Sequence, residues 1–89
     1  MEVFVHHIPE KYIARLNEPD KSRLENAIDG LEKEPPEGDI RPVIGQEGIV
    51  RLKVGGYRIL FRYRENDILV THIDPRGQVY SKKNKGKKR

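Results

Sequence analysis

Four cations flank one dipeptide: Arg51 and Lys53 precede Gly55-Gly56, and Arg58 and Arg62 follow it. A Gly-Gly pair between two apolar-rich runs signals a two-residue hairpin turn, and that turn dictates the pairing. Val54 faces Tyr57, Lys53 faces Arg58, Leu52 faces Ile59, Arg51 faces Leu60, Val50 faces Phe61 and Ile49 faces Arg62. Cross-strand partners share a face, and successive residues alternate between faces. One face is therefore Val50, Leu52, Val54, Tyr57, Ile59 and Phe61, a core surface. The other carries Arg51, Lys53, Arg58 and Arg62, with Ile49 and Leu60 between them. Like charges directly opposite each other destabilise a sheet, and no acid on the hairpin relieves Lys53 and Arg58. An anion held between them would. A phosphodiester backbone suits the forked donors of arginine. The plainer alternative is a solvated outer face. A slip of one residue would exchange the two faces.

Such a hairpin needs a scaffold. Val3-Phe4-Val5 marks a strand over residues 2–7. Pro9 suits a first helical turn, and Ile8, Tyr12, Ile13 and Leu16 recur at helical spacing. Asn17-Glu18-Pro19-Asp20 breaks the chain. A second helix is expected over about 20–33, with a stripe of Leu24, Ala27, Ile28 and Leu31, and Pro35-Pro36 stops it. The two helices form a hairpin. Residues 34–48, rich in Pro and Gly, read as a loop. Strands are expected over about 49–54, 57–64, 68–73 and 77–80. The order predicts an α+β domain: a strand, a two-helix hairpin, then a four-strand antiparallel meander with the helices on one face of the sheet.

The chain has 89 residues and a net charge of +4. Residues 1–48 carry eleven acids against six bases, a balance of −5, and residues 49–89 carry twelve bases against three acids, a balance of +9. A strongly basic half points to a polyanion partner. Six of those twelve bases lie in residues 82–89, a basic tail expected to be disordered, which leaves 1–81 as a single domain. No run approaches the roughly 18 apolar residues of a membrane span, and no secretory signal is expected from Met1-Glu2-Val3-Phe4. The absence of cysteine excludes disulfides, thiolate zinc sites and cysteine nucleophiles. A cytoplasmic location is expected. His6-His7 chelates poorly because neighbours on a strand point to opposite faces, so no metal is expected.

The run Gly48-Ile49-Val50-Arg51-Leu52-Lys53-Val54-Gly55-Gly56-Tyr57-Arg58-Ile59-Leu60-Phe61 resembles the central hairpin of the RelE/ParE superfamily of bacterial toxins. Arg76-Gly77-Gln78-Val79-Tyr80 is similar to that superfamily's closing strand. The likeness extends to about residue 81. It implies a toxin held inactive by a cognate antitoxin, with no cofactor. RelE-like members are endoribonucleases that cleave messenger RNA in the ribosomal A site; ParE-like members poison DNA gyrase. On the RelE side, the resemblance implies that Arg58 stabilises the reacting phosphate and that Arg51 and Lys53 bind RNA or assist catalysis. Tyr80 would stack on a base or move a proton, and Arg76 matches the recurrent arginine before the closing strand. The chain departs from the pattern at Pro75, where many members have histidine, and at Asp74, where RelE has a second arginine. These departures bear on proton transfer rather than on phosphate binding.

RNA can be cut by its own 2′-hydroxyl. The protein must then position the strand, remove a proton, stabilise the pentavalent phosphate and protonate the leaving 5′-oxygen. Arg58 and Lys53 suit charge stabilisation, commonly the largest single contribution, and the ribosome can supply positioning. Tyr80 becomes a candidate general base, since neighbouring cations favour phenolate; stacking or packing is its alternative. His72 and Asp74 are the other candidate bases, against a structural role for His72 and turn chemistry for Asp74 before Pro75. Arg62, Lys82 and Lys83 would add RNA affinity, the tail in a salt-sensitive way. The leading expectation is an mRNA-cleaving toxin. A ParE-like gyrase inhibitor and a non-catalytic member that binds RNA or antitoxin are the alternatives.

Overall fold

The computed structural model describes residues 1–75. The expected strand at 77–80, the basic tail, and Arg76, Tyr80, Lys82 and Lys83 lie outside the described residues. The elements are β1 (Glu2–Val5), α1 (His7–Ala14), α2 (Asp20–Gly30), β2 (Asp39–Pro42), β3 (Val50–Val54), β4 (Tyr57–Tyr63) and β5 (Asp67–Asp74). They build one five-stranded sheet in the order β1-β5-β4-β3-β2. From β2 to β5 it is an antiparallel meander, and β1 closes the far edge parallel to β5.

The expected class and order of elements hold, with four corrections, the last of them at the end of α2. First, residues 34–48 are not all loop. Residues 39–42 form the edge strand β2, in register with β3 from Asp39↔Lys53 to Pro42↔Val50. An edge tolerates Pro42, which has no N–H to give to a ladder, and four residues are too few for alternation to show. Second, β1 ends at Val5. His6 caps α1, its Nδ1 accepting from the Ile8 N–H at 3.3 Å, and His7 is already helical. Third, Ile8 is not on the packed stripe of α1. It is 62% exposed, while Pro9 and Ile13 face the core.

The second helix packs as its spacing predicts: Leu24 and Leu31 are fully buried and Ile28 nearly so. It ends at Gly30, three residues early. The chain then tightens through bonds from Leu31 to Ile28, Glu32 to Asp29 and Lys33 to Gly30, the i→i+3 pattern of a closing turn. Under the helices, Leu52, Ile59, Phe61, Ile68 and Val70 complete the core. The core face of the β3–β4 hairpin is the one expected from the Gly55-Gly56 turn. All five observed pairs agree, from Val54↔Tyr57 to Val50↔Phe61. Tyr63, which continues that face in sequence, is 48% exposed and sits edge-on to Phe61 with ring centroids 5.5 Å apart.

Gly38 launches β2 at φ +129°, and a Cβ there would drive into the Leu52 side chain. Gly48 is also at positive φ, +82°, but has open space around it. Gly38→Ala should therefore cost more than Gly48→Ala. Strain of about 1–3 kcal/mol is common to both, with displacement of a core leucine added at Gly38. Urea midpoints of the two variants check the ordering.

Candidate functional site

The outer face of the sheet is built from alternate residues of β2 to β5. Lys53 and Arg58 stand opposite each other in register. The sheet also brings in two acids that the hairpin alone does not contain. Asp39 on β2 pairs with Lys53, and Asp74 on β5 pairs with Arg58. Read across four strands, one row is Asp39, Lys53, Arg58, Asp74, with two cations between two carboxylates. The hairpin itself carries no acid beside the pair, as expected; the flanking carboxylates come from β2 and β5. Both acids are distant in sequence from the strand they flank.

The four cations differ in their engagement. Arg51 is mostly covered, its Nη1 donating to the Asp39 carbonyl at 3.1 Å and lying 3.7 Å from the Asp39 carboxylate. Arg41 also reaches that carboxylate, at 3.6 Å. Lys53 and Arg62 are exposed and Arg58 is half-buried, and none of the three makes an ion pair among the described residues. These three side chains are free of ion pairs among the described residues and open to a polyanion.

Beside them, the β4–β5 ladder is irregular. Leu60 pairs with His72 but Phe61 pairs with Val70, so Thr71 is an extra residue in a bulge. Bulges re-aim side chains. The Thr71 hydroxyl donates to the Leu60 carbonyl at 3.3 Å, and His72 Nδ1 lies 3.0 Å from the same hydroxyl oxygen. Thr71 and His72 line an open cleft of about 460 Å³ with Gln46, Ile49, Leu60, Arg62 and Leu69. No signal in the sequence marks this bulge: Val70-Thr71-His72 reads as ordinary strand.

On the core face of the hairpin, Tyr57 donates to Asp20 Oδ2 at 2.8 Å and ties the hairpin to α2. Burial pushes the Tyr12 phenol above its usual range, and the Asp20 and Asp74 carboxylates add to the effect. Tyr12 therefore stays protonated at neutral pH. Glu18 is held below the ordinary carboxylate range by hydrogen bonds from the Ser22 side chain and backbone. The His6 and His7 rings lie 4.3 Å apart at the start of α1. Among the described residues no group of three His, Asp or Glu side chains is gathered to hold a metal, and no helix is long and apolar enough to cross a membrane.

A family model described as the ParE toxin of the type II toxin-antitoxin system parDE matches residues 6–80. No curated protein matches. Two archaeal structures share the fold. One is a RelB-RelE antitoxin-toxin complex from Methanococcus jannaschii, with a TM-score of 0.69 at 17% identity over 88% of this chain and 95% of that one. The other is a RelE-RelB complex from Pyrococcus horikoshii OT3, with a TM-score of 0.68 at 24% identity over 86% of this chain and 96% of that one.

Proposed function

Because the chain belongs to the ParE toxin family of type II toxin-antitoxin systems, within the RelE/ParE superfamily, we propose that it stops translation by cutting messenger RNA in the ribosomal A site. The observation that carries this reading is the unpaired state of Lys53, Arg58 and Arg62 on one sheet face, among the described residues. Lys53 and Arg58 repel each other across the hairpin, and a phosphodiester between them removes the repulsion. As the 2′-hydroxyl attacks, charge grows on the phosphate oxygens, where preorganised cations act most strongly.

Each residue then has a role in this reading. Arg58 stabilises the pentavalent phosphate, and Lys53 shares that charge. Arg62 holds a neighbouring phosphate. Arg51, held by Asp39, supports the strand rim and offers RNA its remaining donors. Arg76 adds positive charge that favours the phosphodiester. Tyr80 stacks on a base or takes part in proton transfer. Lys82 and Lys83 add affinity that salt weakens. A small site suffices because the ribosome orients the message. The action is placed in the cytoplasm, with a cognate antitoxin as the inhibitory partner, as in the two archaeal complexes.

Gyrase inhibition is the second reading, favoured by the ParE description of the matching family. Purified chain is incubated with ribosomes carrying a message in the A site, and in parallel with gyrase and supercoiled DNA. Cuts in register with codons are expected in the first reaction, with unchanged supercoiling in the second. Intact message with gyrase-dependent DNA breaks would transfer the chain to the second reading. No effect in either would leave a binding member without catalysis.

A further inference from the structure

The Thr71 bulge places one hydroxyl between the Leu60 carbonyl, at 3.3 Å, and His72 Nδ1, at 3.0 Å. With its single proton on the Leu60 carbonyl, the hydroxyl oxygen accepts from His72 Nδ1, and Nδ1 is then the protonated nitrogen. In a neutral imidazole that leaves Nε2 with a free lone pair. The side chain is exposed and borders the cleft over Leu60, Ile49 and Leu69.

We propose that His72, oriented by Thr71, is the general base that removes the 2′-hydroxyl proton, and that this cleft receives the nucleotide bearing it. The proposal rests on the RNA-cleavage reading above. Its volume of about 460 Å³ falls within the range of small-ligand sites, about 300–1,000 Å³. Ile49, Leu60 and Leu69 give a nucleobase an apolar floor, and Arg62 gives a phosphate a counter-charge. Leu60, the residue opposite His72, lies one same-face step along β4 from Arg58, about 7 Å at strand spacing. One nucleotide can therefore meet both side chains. The proton moves from the 2′-oxygen to Nε2 as that oxygen bonds to phosphorus, the P–O5′ bond breaks as the 5′-oxygen takes a proton from water, and the imidazolium returns its proton to the resulting hydroxide. The products are a 2′,3′-cyclic phosphate and a 5′-hydroxyl end. Imidazole suits proton transfer near neutral pH better than the phenol of Tyr80. Arg62 lines the same cleft as His72, and Arg58 and Asp74 form the next same-face pair along the β4–β5 ladder.

Thr71 is a positioning residue, and the test separates its effect from simple folding. In the full chain labelled with 15N, nitrogen NMR of neutral His72 should show the Nδ1-protonated tautomer, retained in Thr71→Ser and lost in Thr71→Val. A predominantly Nε2-protonated ring in the wild type would overturn the relay. In single-turnover cleavage on message-loaded ribosomes, His72→Gln should slow the cut by about 100-fold or more, the typical scale of general-base loss. Its pH–rate profile should lose the acid limb while ribosome binding is unchanged. Thr71→Val should slow the cut in part and Thr71→Ser should restore it. Wild-type cleavage with an equally fast His72→Gln variant would overturn the base role and leave the RNA-cleavage reading standing. A wild-type chain that cuts no message would overturn both.

Discussion

Arg58→Ala should cut message cleavage by about 100- to 1,000-fold, the scale seen when one preorganised charge stabiliser is removed, and should leave the fold intact. Arg58 lies on the outer face in register between Lys53 and Asp74. It makes no ion pair among the described residues. Its removal ends a like-charge pairing with Lys53 and an opposite-charge pairing with Asp74, which offset each other, so thermal stability should stay near wild type. Arg58→Lys keeps the charge but loses the planar fork, and should fall between wild type and alanine. Single-turnover cleavage and a melting curve on each variant decide the matter. Cleavage that survives in Arg58→Ala would remove this residue from the phosphate site.

Phe61→Ala should be the most damaging single change to the fold. The ring is fully buried, and deleting such a ring typically costs about 3–5 kcal/mol through lost transfer energy and the cavity left behind. Small domains have about 5–15 kcal/mol in total, so this variant should sit near the edge of unfolding. Phe61 is also the first residue past the irregularity in the β4–β5 ladder. Its packing therefore holds the register that aims His72. Urea unfolding of Phe61→Ala and Phe61→Leu checks this. The leucine variant, closer in volume, should lose roughly 1.5 kcal/mol or less. A midpoint for the alanine variant near wild type would mean that the core collapses into the space.

What the sequence discloses about this fold follows the range of its signals. The β3–β4 pairing was legible because Gly55-Gly56 is local and its alternation runs unbroken on both sides. The α2 stripe was legible because Leu24, Ala27, Ile28 and Leu31 repeat over two turns. The strand at Asp39–Pro42 was not, since its existence depends on β3 as a partner rather than on its own four residues. The two acids beside Lys53 and Arg58 were hidden for the same reason: cross-strand neighbours are set by topology. The Thr71 bulge lay beyond periodicity altogether, because one extra residue in a ladder changes pairing without changing composition.

The parallel pairing of β1 with β5 bears on how the chain matures. Glu2 meets Asp67, and Val5 meets Val70, so the earliest strand to be synthesised waits for the latest of the described ones. The His6 N–H bond to the Val70 carbonyl, 2.9 Å, closes at the same moment. Synthesis runs at about 5–20 residues per second, which leaves β1 without its partner for several seconds. Contacts of such long sequence separation slow folding. Assembly of the sheet edge is therefore timed to the end of translation of this segment, and the half-made chain carries an unpaired apolar strand for another protein to meet first.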